Sequence, residues 1–158
     1  MTIDDFKGLM DGFDPASLLP EVDTIIGKIA LVARIAVLIG PVVLLLMGLL
    51  YLFASPKEAN YYLGYRCYYG MGSEEAWRYT QRIAGIGFGA LGLILLIVML
   101  ILSGSFGEME TMELLWQAVY CVAWEAGLVA IACITVNTLA AIHFDGKGDR
   151  RKKAKLRT

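Results

Sequence analysis

Five tyrosines and a tryptophan fall within 17 residues in the stretch Pro56-Lys-Glu-Ala-Asn60-Tyr-Tyr-Leu-Gly64-Tyr65-Arg66-Cys67-Tyr68-Tyr69-Gly70-Met71-Gly72-Ser73-Glu74-Glu75-Ala76-Trp77. A mere linker needs nothing of the kind. Arg66 offers a rigid five-donor fork that suits a carboxylate, a phosphate or the carbonyls at a helix C-terminus, and Gly64, Gly70 and Gly72 permit backbone angles closed to other residues. Two roles for Arg66 follow. With the tyrosine hydroxyls it makes a site for a lipid phosphate or a partner's acid, or it clasps the loop internally to Glu74 or Glu75.

Glu125 is the second chemical candidate, because it interrupts an apolar run of about residues 118–142. An ionised carboxylate facing lipid costs a few kcal/mol, so this side chain must face protein, find a cation or be protonated. Arg34 is the nearest base by depth. The alternatives are a structural Arg34–Glu125 pair, a contact with a partner chain, or a proton or cation path with Glu108, Glu110 and Glu113 as its mouth. The polar groups further into the span from Glu125 are Thr135, Asn137 and Thr138.

Catalytic and metal chemistry have little to work with. His143 is the only histidine, which leaves no Ser/His/Asp set, and there is neither a Gly-rich phosphate loop nor an HExxH motif. Cys67, Cys121 and Cys133 have no metal or disulfide spacing, the last two lying twelve residues apart on one helix, about 18 Å along its axis. The expectation is a non-enzymatic protein with no cofactor and no metal.

The elements that position these residues are set by hydropathy. In 158 residues, 58% are hydrophobic and only 18% charged, with a mean hydropathy of +0.61, more apolar than a water-soluble domain of this size tolerates. Residues 35–54 and 83–102 are two runs of 20 without a formal charge, and a third span covers 118–144. Each is long enough at about 1.5 Å per residue to cross a hydrocarbon core of about 30 Å. The fold expected is an all-α integral membrane protein with three transmembrane helices. Two of these begin before the membrane: the first near Pro20, with Glu21 and Asp23 in its opening turn, and the second at Ser73, whose side chain can cap a turn containing Glu74 and Glu75. Trp77, Arg78, Tyr79 and Arg82 then form an aromatic and basic collar suited to the headgroup zone.

Orientation follows from the bases, since the 15 acids and 14 bases give a net charge of −1 that says nothing about partners. Residues 55–82 hold Lys57, Arg66, Arg78 and Arg82, and the tail 145–158 holds seven more, whereas the outer loop 103–117 has none. These eleven bases predict an N-terminus outside and a C-terminus inside. Ile3, Phe6, Met10 and Phe13 recur at helical spacing among acids, which predicts an amphipathic helix on the outer surface within residues 1–34. The tail from Gly146 reads as a disordered arm that binds the anionic inner leaflet, with no specific nucleic acid invoked. Gly85 and Gly89 form a GxxxG pair that lets another helix, of this or another molecule, approach closely.

Asn60-x-x-x-Gly64-Tyr65-Arg66, then Met71, then Glu75-Ala76-Trp77 with Gln81 and Gly85, resembles the signature loop of the SdpI-like family of small bacterial membrane proteins. The similarity covers residues 56–85, between two spans. Cys67 stands where the family usually has Thr, and Gly70 where it usually has Ser. The resemblance implies a multi-pass protein of the bacterial plasma membrane that acts in immunity to an antimicrobial peptide or in signalling through a partner at the membrane. It also implies that Asn60, Gly64, Tyr65, Arg66, Met71, Glu75, Trp77 and Gln81 carry the partner- or lipid-binding role. The rival expectation is an accessory subunit of a larger membrane complex, followed by a small transporter using Glu125.

Overall fold

The computed structural model describes residues 19–59 and 62–151. The expected N-terminal amphipathic segment, Asn60 and the last seven residues of the tail lie outside them. Among the described residues there are three long helices, α1 (Leu19–Phe53), α2 (Glu74–Gly104) and α3 (Thr111–His143), with one 3₁₀ turn at Ser105–Gly107 between the last two. All three are long and apolar enough to cross a membrane. At 35, 31 and 33 residues they outrun the apolar cores predicted for them, so each projects beyond a hydrocarbon layer of about 30 Å.

Local chemistry sets the ends. Ser73 is extended and its hydroxyl accepts the Ala76 amide at 3.1 Å, with Glu74 and Glu75 beside the positive end of the helix dipole. Pro20 falls in the opening turn of α1, where its missing N–H costs nothing. Pro41 sits inside α1 and is buried; having no N–H, it leaves one carbonyl of the preceding turn without its helical donor.

α1 and α2 pack backbone to backbone. A Cβ added at Gly48 would lie 2.3 Å from the Gly89 nitrogen, and one at Gly92 would lie 2.5 Å from the Leu45 nitrogen. The close approach expected of Gly85 and Gly89 is therefore made within the molecule, with Gly48 on α1 as the partner that the GxxxG pattern did not reveal. Gly85 is equally tight, its Cβ position 2.6 Å from Leu52, whereas a Cβ at Gly89 meets nothing nearer than 3.9 Å. Along this seam Val37, Leu44, Tyr51, Phe88, Leu95 and Met99 form the core, and α3 adds Leu114, Ala118, Cys121 and Val136. Large apolar side chains such as Ile35, Ile39, Leu93, Ile97 and Ile131 point outward, as lipid-facing positions must.

The polypeptide after α3 folds back on itself. Phe144 is fully buried and bridges to Arg150, while the Arg151 amide donates to the His143 carbonyl at 2.8 Å. Asp145 closes the turn by accepting the amides of Lys147 and Asp149, each at 2.9 Å. Residues 145–151 thus form an ordered turn where composition alone suggests an arm. The physical reason is a local Asx-type turn anchored by one aromatic residue, a feature invisible to an average over charge.

Candidate functional site

One end of the bundle gathers the 54–73 loop, the first turns of α2, the last turns of α3 and the 145–151 turn. At its centre is Trp77, wholly buried, with its indole N–H donating to the Pro56 carbonyl at 2.8 Å. This pins the start of the loop to α2. Gly64 lies over the same ring: its φ is +123°, and a Cβ there would fall 2.6 Å from the indole and 3.0 Å from Gln81 Oε1. Only glycine satisfies both conditions.

Gln81, also buried, spends both ends of its amide on the next residue. Its Oε1 accepts the Tyr65 backbone amide at 2.8 Å, and its Nε2 donates to the Tyr65 carbonyl at 2.7 Å. The α2 helix therefore offers the loop the hydrogen bonds that a neighbouring strand would otherwise supply. The Tyr65 ring turns inward against Phe88 and Tyr51, with centroids 5.4 and 6.3 Å away. Its hydroxyl lies 3.0 Å from Asn137 Oδ1 and 3.2 Å from the Cys133 carbonyl of α3. Burial holds the phenol well above its ordinary pKa.

The remaining loop residues follow the same logic. The Met71 amide donates to the Cys67 carbonyl, and the Gly70 amide donates to both the Cys67 carbonyl and its sulfur, the latter at 3.3 Å. A side chain at Gly70 has no room, since its Cβ would stand 2.6 Å from Thr80 Oγ1 and 2.9 Å from Cys67 Sγ. Cys67 and Gly70 thus lie in contact, closed in by Thr80. Ser73 ties the loop to the tail by donating to the Gly148 carbonyl at 2.7 Å, and Gly72 packs on Gly148, whose φ is +82°. Glu75 faces Arg150 at 3.4 Å, and Glu74 pairs with Arg78.

Arg66 stands apart. It is exposed, and no acid of the described residues lies within ion-pair distance of it. The clasp to Glu74 or Glu75 does not form, because those carboxylates face Arg78 and Arg150. Trp77 and Gln81 are buried, and with Trp77 turned inward the expected collar of Trp77, Arg78, Tyr79 and Arg82 reduces to Arg78 and Arg82, with Tyr79 half-buried against His143 and Phe144. The two buried side chains hold the loop; Arg66 is what the loop holds out.

The intramembrane candidates are not brought together. Arg34 Nε donates to the Ser103 carbonyl at 3.1 Å, closing the C-terminal end of α2, and so does not pair with Glu125. A guanidinium meets the orphan carbonyls of a helix end as readily as a carboxylate. Glu125 is buried, with Oε1 lacking a hydrogen-bond partner among the described residues and Oε2 against Gly40. Thr135 and Thr138 donate to the carbonyls one turn back, each at 2.8 Å, and Asn137 serves Tyr65. All three cysteines are free, and among the described residues no cluster of His, Cys, Asp and Glu could hold a metal ion.

The described residues define a membrane protein with three spanning helices, in which the 54–73 loop is a folded cap latched to α2, α3 and the tail. That cap coincides with a known sequence pattern: the SdpI/YfhL protein family matches residues 57–140. The chain belongs to this family. The match runs from the loop through α2 and most of α3, taking in every partner of Gln81 and Tyr65 on those helices. No curated protein and no solved structure matches the chain.

Proposed function

We propose that this chain is a non-catalytic binding protein of the bacterial plasma membrane, which holds an acidic group of a protein partner against Arg66. One observation carries the reading. Tyr65, Trp77 and Gln81 of the family motif are spent inside the cap and Glu75 faces Arg150, whereas Arg66 is exposed and free of acids among the described residues. A clamped backbone on either side preorganises the guanidinium, which lowers the ordering cost of binding. The resemblance makes an antimicrobial peptide, or a signalling protein recruited to the membrane, the partner to try first.

The test is protection. Toxin-sensitive cells expressing the wild-type chain should survive exposure, and cells expressing Arg66→Ala at equal membrane levels should not. Arg66→Lys, which keeps the charge but loses the fork, should protect partially. Equal killing with and without the wild-type chain rejects the immunity role. Equal protection by wild type and Arg66→Ala rejects Arg66 as the recognition residue.

An accessory-subunit role has its own support in a groove of about 730 Å³ between α1 and α3, floored by Ala33, Ala36, Ala118, Ala123 and Ala126. Small side chains of this kind admit another helix. Under this reading a stoichiometric companion survives purification in mild detergent and is lost from Ala123→Leu. Transport through Glu125 gains no such support, because the polar groups further along α3 are already engaged.

A further inference from the structure

We infer that a second site, separate from Arg66, binds the phosphate headgroup of an anionic phospholipid in the cleft between the end of α1 and the first turns of α2. The cleft measures about 430 Å³ and is lined by Tyr51, Leu52, Phe53, Ser55, Arg78 and Arg82.

On the polar side, Arg82 is exposed and no acid of the described residues approaches it; Arg78 shares its guanidinium with Glu74 but stays more than half exposed. The Ser55 hydroxyl makes no hydrogen bond within the described residues and can donate to the same ligand. Two guanidiniums at i and i+4 on one helix face, with a hydroxyl opposite, present donors that converge on a tetrahedral oxyanion. A phosphate, with more acceptor oxygens than a carboxylate, can meet each donor with a separate oxygen.

On the apolar side, Phe53 is 82% exposed at the last residue of α1, with Leu52 beside it. A free phosphate leaves these two in water, whereas a lipid covers them with its first acyl carbons. The position agrees, because α1 is apolar up to Phe53 and the polypeptide leaves the helix directly after it. The cleft therefore sits at the depth where headgroup and chain meet. Gln81 lies in the same wall and holds Tyr65, so an occupied cleft abuts the cap without using Arg66.

The full chain in a neutral detergent, titrated with phosphatidylglycerol or phosphatidylcholine and read by native mass spectrometry, tests this. Wild type should retain one phosphatidylglycerol at least about tenfold more tightly than phosphatidylcholine. Arg82→Gln should erase that preference, and Phe53→Ser should weaken both lipids. Arg82→Lys, which keeps the charge and so guards against a variant that simply fails to fold, should fall between wild type and Arg82→Gln. Inorganic phosphate at equal concentration should displace neither lipid. The inference is overturned if Arg82→Gln keeps the preference, if Lys57→Gln abolishes it equally, which would mean a diffuse basic surface, or if phosphate alone displaces the lipid. Because Arg66→Ala should leave the preference intact, failure here is distinguishable from failure of the proposed partner site.

Discussion

At Gly64 an added methyl group enters space that the Trp77 ring already fills, on a backbone angle that L residues avoid. Gly64→Ala should therefore cost about 1–3 kcal/mol from the dihedral alone. It should also release the loop, seen as faster amide exchange over residues 62–70 with α2 unchanged. Exchange as slow as in wild type would mean that the indole is not what fixes the turn. Gln81 is the complementary case. Gln81→Leu keeps the volume but orphans both the amide and the carbonyl of Tyr65, at about 1–3 kcal/mol for each buried group left unpaired. Melting in detergent should show the loss, with the Tyr65 amide exchanging fastest. Glu125 is predicted to behave in the opposite way. Its Oε1 has no partner among the described residues to lose, so Glu125→Leu should be within about 1 kcal/mol of wild type, or more stable. A large destabilisation would show that the carboxyl has a partner in the membrane that the chain alone does not supply.

Between elements, the α1–α2 seam is set by absent side chains. Gly48→Ala and Gly92→Ala must force the helix backbones apart, whereas Gly87, with nothing within 4 Å of its Cβ position, should accept alanine and gain up to about 1 kcal/mol of helix propensity. Thermal melting of the three variants separates packing from propensity; equal destabilisation by all three would remove the seam argument. The tail turn adds a pH dependence. Hydrogen bonds from the Asp149 and Lys147 amides hold the Asp145 carboxyl below its ordinary pKa. A depressed folded value contributes stability that is present above the unfolded Asp value and fades as pH falls through the folded one. Exchange of the Lys147 and Asp149 amides, corrected for intrinsic rates, should thus accelerate at about pH 3 relative to about pH 6. The three helices and the Ser73 cap were legible in the sequence because hydropathy and capping are local. Gly48, the Gln81 clamp and the Gly72–Gly148 contact were not, because each depends on which backbone comes alongside. Arg34 illustrates the limit: depth suggested Glu125 as its partner, but the nearer acceptor was a carbonyl, which sequence never displays.

For the molecule as a whole, the cap couples segments far apart in the chain. Ser73 and Glu75 at the start of α2 hold Gly148 and Arg150 beyond the end of α3, so loop and tail occupy one side of the bundle and their bases act together. Lys57, Arg66, Arg78, Arg82, Lys147, Arg150 and Arg151 all stand at this end, while the opposite connection between α2 and α3 carries Glu108 and Glu110 with no base. Translocation resists lysine and arginine near the ends of spans and takes little notice of acids, so the cap is expected to face the cytoplasm. Cys67 lies in the cap and is free and half-buried, which makes it the natural reporter. A membrane-impermeant maleimide should leave it unmodified in intact cells and label it once the cells are opened. Labelling from outside would invert the molecule and place Arg66 and the Arg82 cleft on its outer face.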